Sequence, residues 1–205
     1  MNTDIWKQGL TNRVPDKALP YCCSLWEEEP FHLAVTRSRS SKLGDFRYRA
    51  DLAVQKITIN HDLNIYQFLI TYIHEVAHHR VFSKYGSAKK PHGQEWKKTF
   101  RQLMMPVLND SVFPRDILIP LRLHMANPKA STGADYFLMK ELKKYDSKET
   151  IDGAALLGDL KIGSRFELRR RVFEKLETRR TRVLCKELSS GKRYLISSHA
   201  EVVAG

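Results

Sequence analysis

Asn64-Ile65-Tyr66-Gln67-Phe68-Leu69-Ile70-Thr71-Tyr72-Ile73-His74-Glu75-Val76-Ala77-His78 is the stretch on which the reading of this chain turns. Ile65, Phe68, Leu69, Tyr72, Ile73, Val76 and Ala77 step by three and one alternately, which draws one apolar stripe down a helix. Asn64 is a suitable N-cap, because its side chain can accept from the first unpaired amides, and Gly86 supplies a stop. On such a helix His74 and His78 are separated by about 40° around the axis and about 6 Å along it, so both imidazoles can address one ion. Each follows a stripe residue, Ile73 or Ala77, which puts the pair at the edge of the buried face where a cleft can open. Glu75 is turned by about 100° from His74 and need not be a ligand. A carboxylate there suits a general base that takes a proton from a metal-activated water.

A catalytic zinc uses three protein ligands and keeps a fourth position open, so this HExxH pair needs a third group. His61, His79, His92, His124, His199 and nearby carboxylates are the candidates. His79 follows His78 and faces away from the pair, as a surface residue or one that supports the site from behind. His92 lies in Pro91-His92-Gly93, beyond the Gly86 stop, where the chain can turn back and Gly93 permits close backbone approach. Glu95, at the start of the next helix, is the rival. Spacing alone leaves both open, and it also leaves open a zinc that only holds the fold.

Outward from the helix, Phe31, Leu33 and Val35 alternate as in a half-buried strand, and Phe46 to Arg49 returns as a second, an expected hairpin. Val54 to Ile59 gives a third strand. Before them, Pro15 opens a short helix that Pro20 is expected to interrupt. A second long helix is expected from about Gly93 to Met105, ending before Pro106. The proline-rich stretch 106–133 has no clear pattern, and 134–145 is expected to be helical. The fold expected is therefore α+β, with a metallopeptidase domain over 1–145, a linker over 146–160 and a small all-β module over 161–205.

That last segment is short strands and turns, including Ser189-Ser190-Gly191, and suggests a small SH3-like β-barrel. Between Arg165 and Arg193 there are eleven Lys or Arg and four Glu, so more than half of the chain's net charge of +12 sits there. Arg169, Arg170, Arg171, Lys175, Arg179, Arg180, Arg182, Lys192 and Arg193 could neutralise backbone phosphates of a nucleic acid without reading its sequence. The bland alternative is a solvated basic face that meets another protein surface.

No apolar run approaches the length of a bilayer span, and Met1 to Leu10 lacks the pattern of a secretory signal, so a cytoplasmic, or nucleoid-associated, setting is expected. Cys22, Cys23 and Cys185 form no CxxC pair and are expected to be reduced and buried.

The HEVAH helix, followed by Pro91-His92-Gly93-Gln94-Glu95-Trp96, resembles the SprT-like metalloproteases. Lys42-Leu43-Gly44-Asp45-Phe46-Arg47 and Lys56-Ile57-Thr58-Ile59-Asn60 are similar to that family too, so the likeness spans roughly residues 15–110. The resemblance implies a compact zincin-like domain, a small sheet packed on the HExxH helix. It implies one Zn2+ on His74, His78 and His92, with Glu75 as the base. It also implies peptide-bond hydrolysis of proteins crosslinked or bound to DNA. Many members end in a zinc ribbon with paired cysteines. Only Cys185 stands in that region here, so a second zinc site is not expected. The competing function is a non-catalytic nucleic-acid-binding protein with an architectural zinc.

Overall fold

The computed structural model describes residues 8–39, 41–131, 133, 135–146 and 154–205. Residues 1–7, and residues 147–153 of the expected linker, lie outside them. The chain divides into two compact units, residues 1–130 with 144–146, and residues 131–143 with 147–205.

In the first unit a 3-10 turn at Asp16–Ala18 leads into α1 (Leu19–Glu28). Pro20 does not interrupt this helix. It falls in the first turn, where an amide hydrogen has no helical acceptor to lose. Three strands follow, β1 (His32–Thr36), β2 (Gly44–Arg47) and β3 (Lys56–Asn60). They do not form the expected β1–β2 hairpin. β3 is central, parallel to β1 and antiparallel to β2. Burial accords with the order, because Ile57, Ile59 and Asn60 of β3 are buried whereas no residue of β1 or β2 is, so β3 is the strand suited to neighbours on both edges.

The long helix α2 (Ile65–Tyr85) has the caps its sequence announces. The Asn64 side chain accepts from the Tyr66 and Gln67 amides at 3.2 and 2.9 Å, and Gly86 ends the helix with a φ of +58°. Its burial is broader than one stripe, since Gln67, Thr71, Glu75 and His79 are buried as well. The sheet covers one side, α3 (Gln94–Met104) another, and Tyr72 reaches α1, its hydroxyl donating to the Cys22 carbonyl at 2.9 Å. In the proline-rich stretch lies α4 (Arg115–Ala126), with Pro120 inside it and Ile117, Leu118, Leu121, His124 and Met125 buried.

The second unit opens with α5 (Tyr136–Lys143) and continues with β4 (Ala154–Leu156), β5 (Arg165–Leu168), β6 (Arg171–Thr178), β7 (Arg182–Glu187), β8 (Arg193–Ser197) and β9 (Glu201–Ala204). The strands make one antiparallel sheet in the order β4-β9-β5-β6-β7-β8. The expected barrel is not closed. Closure needs the two end strands to pair, and β4, only three residues long, pairs with β9 alone among the described residues. One face of the sheet carries the core of Leu157, Phe166, Phe173, Val183, Cys185 and Val202. A bulge between Lys175 and Glu177 adds local twist. Helix α5 is tied to this unit by Tyr136 and Lys140 on Asp159, at 2.9 and 2.8 Å, and by Lys143 on Glu201 at 2.7 Å. The α+β class is as the sequence suggests. No helix among the described residues is long and apolar enough to cross a membrane.

Candidate metal centre and basic sheet

Two turns of α2 and the loop before α3 bring three imidazoles to one point. The Nε2 atoms of His74, His78 and His92 are 3.2, 2.9 and 3.2 Å apart. Three neutral rings meeting through the same nitrogen cannot satisfy one another by hydrogen bonding alone, since each nitrogen offers either one hydrogen or one lone pair. A tetrahedral ion with Zn–N of about 2.0–2.1 Å sets its ligand nitrogens roughly 3.3 Å apart, close to what is found. The trio could hold a metal ion.

Local backbone makes the convergence possible. His92 sits in the left-handed region at φ +58°, uncommon for a residue with a Cβ, and swings its ring back over α2. The Gly93 amide closes the turn on the Lys90 carbonyl at 2.9 Å, and a Cβ on Gly93 would come within 2.9 Å of that same oxygen. Trp96, fully buried, then packs against all three rings at centroid distances of 4.6, 5.2 and 4.7 Å.

Electrostatics favours ligation. Burial holds His74 and His78 well below the ordinary imidazole range, His78 at about 3, and the other histidines of the trio add like-charge repulsion; burial lowers His92 as well. Neutral imidazole is the form a metal needs.

Glu75 stands apart from the trio. Its Oε2 accepts from the Phe46 amide of β2 at 2.8 Å, and no hydrogen bond reaches Oε1 among the described residues. Burial is the main cause that raises its carboxyl to about 8; the Phe46 amide opposes the rise and Asp45 adds to it. β2 can come this close only because residue 44 lacks a side chain. A Cβ there would stand 2.6 Å from Glu75 Oε1 and 2.7 Å from Thr71 Cγ2. Asn60 secures the loop leading into β2, accepting from Arg39 at 2.8 Å and donating to the Lys42 carbonyl at 2.9 Å. Gly44, Phe46 and Asn60 lie in the two stretches that resemble the SprT-like family, but nothing local in the sequence points to their link with Glu75.

The other candidates are placed elsewhere. Glu95 pairs with Lys89 at 2.6 Å. His79 points away from the trio, as expected, but is buried between the Phe31 and Phe46 rings rather than at the surface. His61 touches the Thr36 carbonyl, His124 is buried on α4, and His199 packs on Tyr136 in the second unit.

The basic residues of the second unit separate into two groups. Arg169, Arg170, Lys192 and Arg193 lie at one end of β6, where the β5–β6 and β7–β8 turns meet, and Arg179, Arg180 and Arg182 lie at the other. Arg171 is committed, paired with Glu187 at 2.5 Å and stacked over Phe173 and Tyr194. Lys175 is not available to phosphates at all. It is buried, and its ammonium donates to the carbonyls of Leu157, Gly158 and Leu160 at 3.0, 3.0 and 2.7 Å.

No curated protein and no solved structure matches the chain. The stretch that holds α2, the trio and Glu75 does match a family: the SprT-like family domain is found at residues 23–114.

Proposed function

We propose that this protein is a zinc-dependent endopeptidase that acts on nucleic-acid-associated proteins. The observation that carries this reading is three Nε2 atoms within 3.2 Å of one another, with Glu75 buried beside them and not among them. The SprT-like match over residues 23–114 agrees with a metal-dependent, protease-like activity. His74, His78 and His92 would hold the zinc, which when bound supplies Lewis acidity and makes water at its open position easier to deprotonate.

The remaining chemistry belongs to the chain. The Phe46 amide fixes Glu75 Oε2, leaving Oε1 as the atom that accepts a proton and later returns it to the leaving amine. Burial raises the basicity of this carboxyl. Among the described residues β2 pairs on one side only, with β3. Its free edge is the natural seat for an extended polypeptide held by backbone hydrogen bonds, which gives loose sequence preference. The basic sheet supports contact with nucleic acid through phosphates, and a cytoplasmic or nucleoid setting suits both activities.

The test compares zinc-loaded wild type with Glu75→Gln on a DNA-binding protein, with and without DNA. The variant should keep its zinc and lose about 10²–10⁴-fold in cleavage rate. Equal cleavage by both would sink the enzymatic reading in favour of an architectural zinc.

A further inference from the structure

Strands β5 and β6 are joined by two residues only. Phe166 pairs with Phe173, Glu167 with Val172 and Leu168 with Arg171, which leaves Arg169 and Arg170 as the whole turn. The register is set by the core, because Phe166 and Phe173 stack at 5.6 Å and both are buried. A two-residue hairpin of this hand needs left-handed backbone at both positions, and Arg169 and Arg170 have φ of +53° and +61°. Asn-Gly is the ordinary solution, and a side chain such as arginine is disfavoured at each position.

A second cost falls at the same end of the sheet. Lys186 and Arg193 are directly opposite each other on β7 and β8, a like-charge pair. Glu174 faces Lys186 across β6 but forms no ion pair with it among the described residues. Arg169, Arg170, Lys186, Lys192 and Arg193 are all exposed, and none of their side chains has a hydrogen-bond or ion-pair partner among the described residues. Arg171, by contrast, is locked over Tyr194 and Phe173, so those ring faces are not open for stacking by bases.

We infer that the Arg169–Arg170 turn is a phosphate-contacting tip for nucleic acid, at which folding stability is given up to hold two arginines side by side. This rests on the proposal that the second unit meets nucleic acid, and it adds which end does so and by what chemistry. The contacts are to backbone phosphate, with Lys192 and Arg193 flanking the tip. Arg179 and Arg180, at the opposite end of β6, are secondary.

The full-length protein is titrated with a fluorescent 20-base-pair DNA duplex over a range of salt, and its melting temperature is recorded. The double variant Arg169→Asn/Arg170→Gly should bind at least about tenfold more weakly at 0.1 M salt. Its log–log salt slope should be shallower by about 2. It should also melt higher, by roughly 4 °C or more. Arg169→Lys/Arg170→Lys keeps charge and backbone strain, so it should retain binding to within about threefold and melt like wild type. Arg179→Ser/Arg180→Ser should weaken binding less than about threefold. Wild-type affinity in the Asn-Gly variant overturns the inference while leaving nucleic-acid binding intact. So does an unraised melting temperature, or an equal loss in the Arg179/Arg180 variant. Wild type that ignores the duplex even at 50 mM salt removes the underlying reading and the tip together.

Discussion

At His74, His78 and His92 charge is suppressed, whereas at Arg169, Arg170, Lys192 and Arg193 it is left bare. The first group is packed under Trp96 and neutral by burial. The second is exposed and unpaired among the described residues. The contrast follows from what each can do. A metal site needs lone pairs held in fixed directions, which requires neighbours that fix each ring. Phosphate contact needs net charge and tolerates imprecise geometry. Single substitutions should therefore act steeply in the first region and gradually, with strong salt dependence, in the second.

The steepest effect expected is at His92. His92→Ala removes a ligand outright and should weaken zinc binding by more than about 10²-fold, beyond the loss typical of a supporting partner. Competition with a chromogenic chelator measures it. A loss under tenfold would mean the loop histidine is not part of the centre. Lys175→Met comes next. It removes the donor from three carbonyls in the second unit, one buried and two partly buried, and should cost about 2–4 kcal/mol in chemical denaturation. Neutral behaviour would show that those oxygens find other donors.

Gly44→Ala joins the sheet to the site. Its new Cβ meets Glu75 and Thr71 at under 3 Å, and the strain should destabilise the first unit by about 1–3 kcal/mol and slow cleavage with zinc content unchanged. Unaltered cleavage would break the link drawn between β2 and the base. A pH series isolates Glu75 itself. Its carboxyl titrates near 4.5 when unfolded and about 8 when folded, so the folded state holds the extra proton between those values. Stability of the metal-stripped protein should fall, relative to Glu75→Gln, as pH rises through that window, and the two curves should run parallel outside it. The smallest effect is expected at Glu95, where Glu95→Gln removes only a part-exposed pairing with Lys89. Zinc affinity should change less than about twofold, and a larger change would restore this residue as a ligand.

What sequence could reveal follows the range of the interactions. The boundaries of α2 were legible from Asn64 and Gly86, because caps are local. The spacing of His74 and His78 was legible for the same reason. The third ligand was not fixed by spacing, since the return of His92 depends on a left-handed turn and on Trp96 beneath it. Strand order is not legible locally, because pairing is set by burial across distant segments: β3, with Ile57 and Ile59 buried, takes the centre. Pro120 concealed α4, whose buried side chains hold it in spite of the break in hydrogen bonding. The partnership of Phe46 with Glu75 spans two elements and left no local trace. The Arg169–Arg170 turn was hidden for a different reason. Its residues are the wrong ones for its backbone, so no turn signal was there to read.

The claim beneath all of this is one cation shared by three rings, with a carboxylate nearby that takes no part in holding it. Zinc titration of the metal-stripped protein, followed by elemental analysis, tests it directly in wild type, Glu75→Gln and His78→Ala. One tightly held zinc per chain is predicted in the first two and none in the third. Uptake abolished by Glu75→Gln, or retained in full by His78→Ala, would contradict the account.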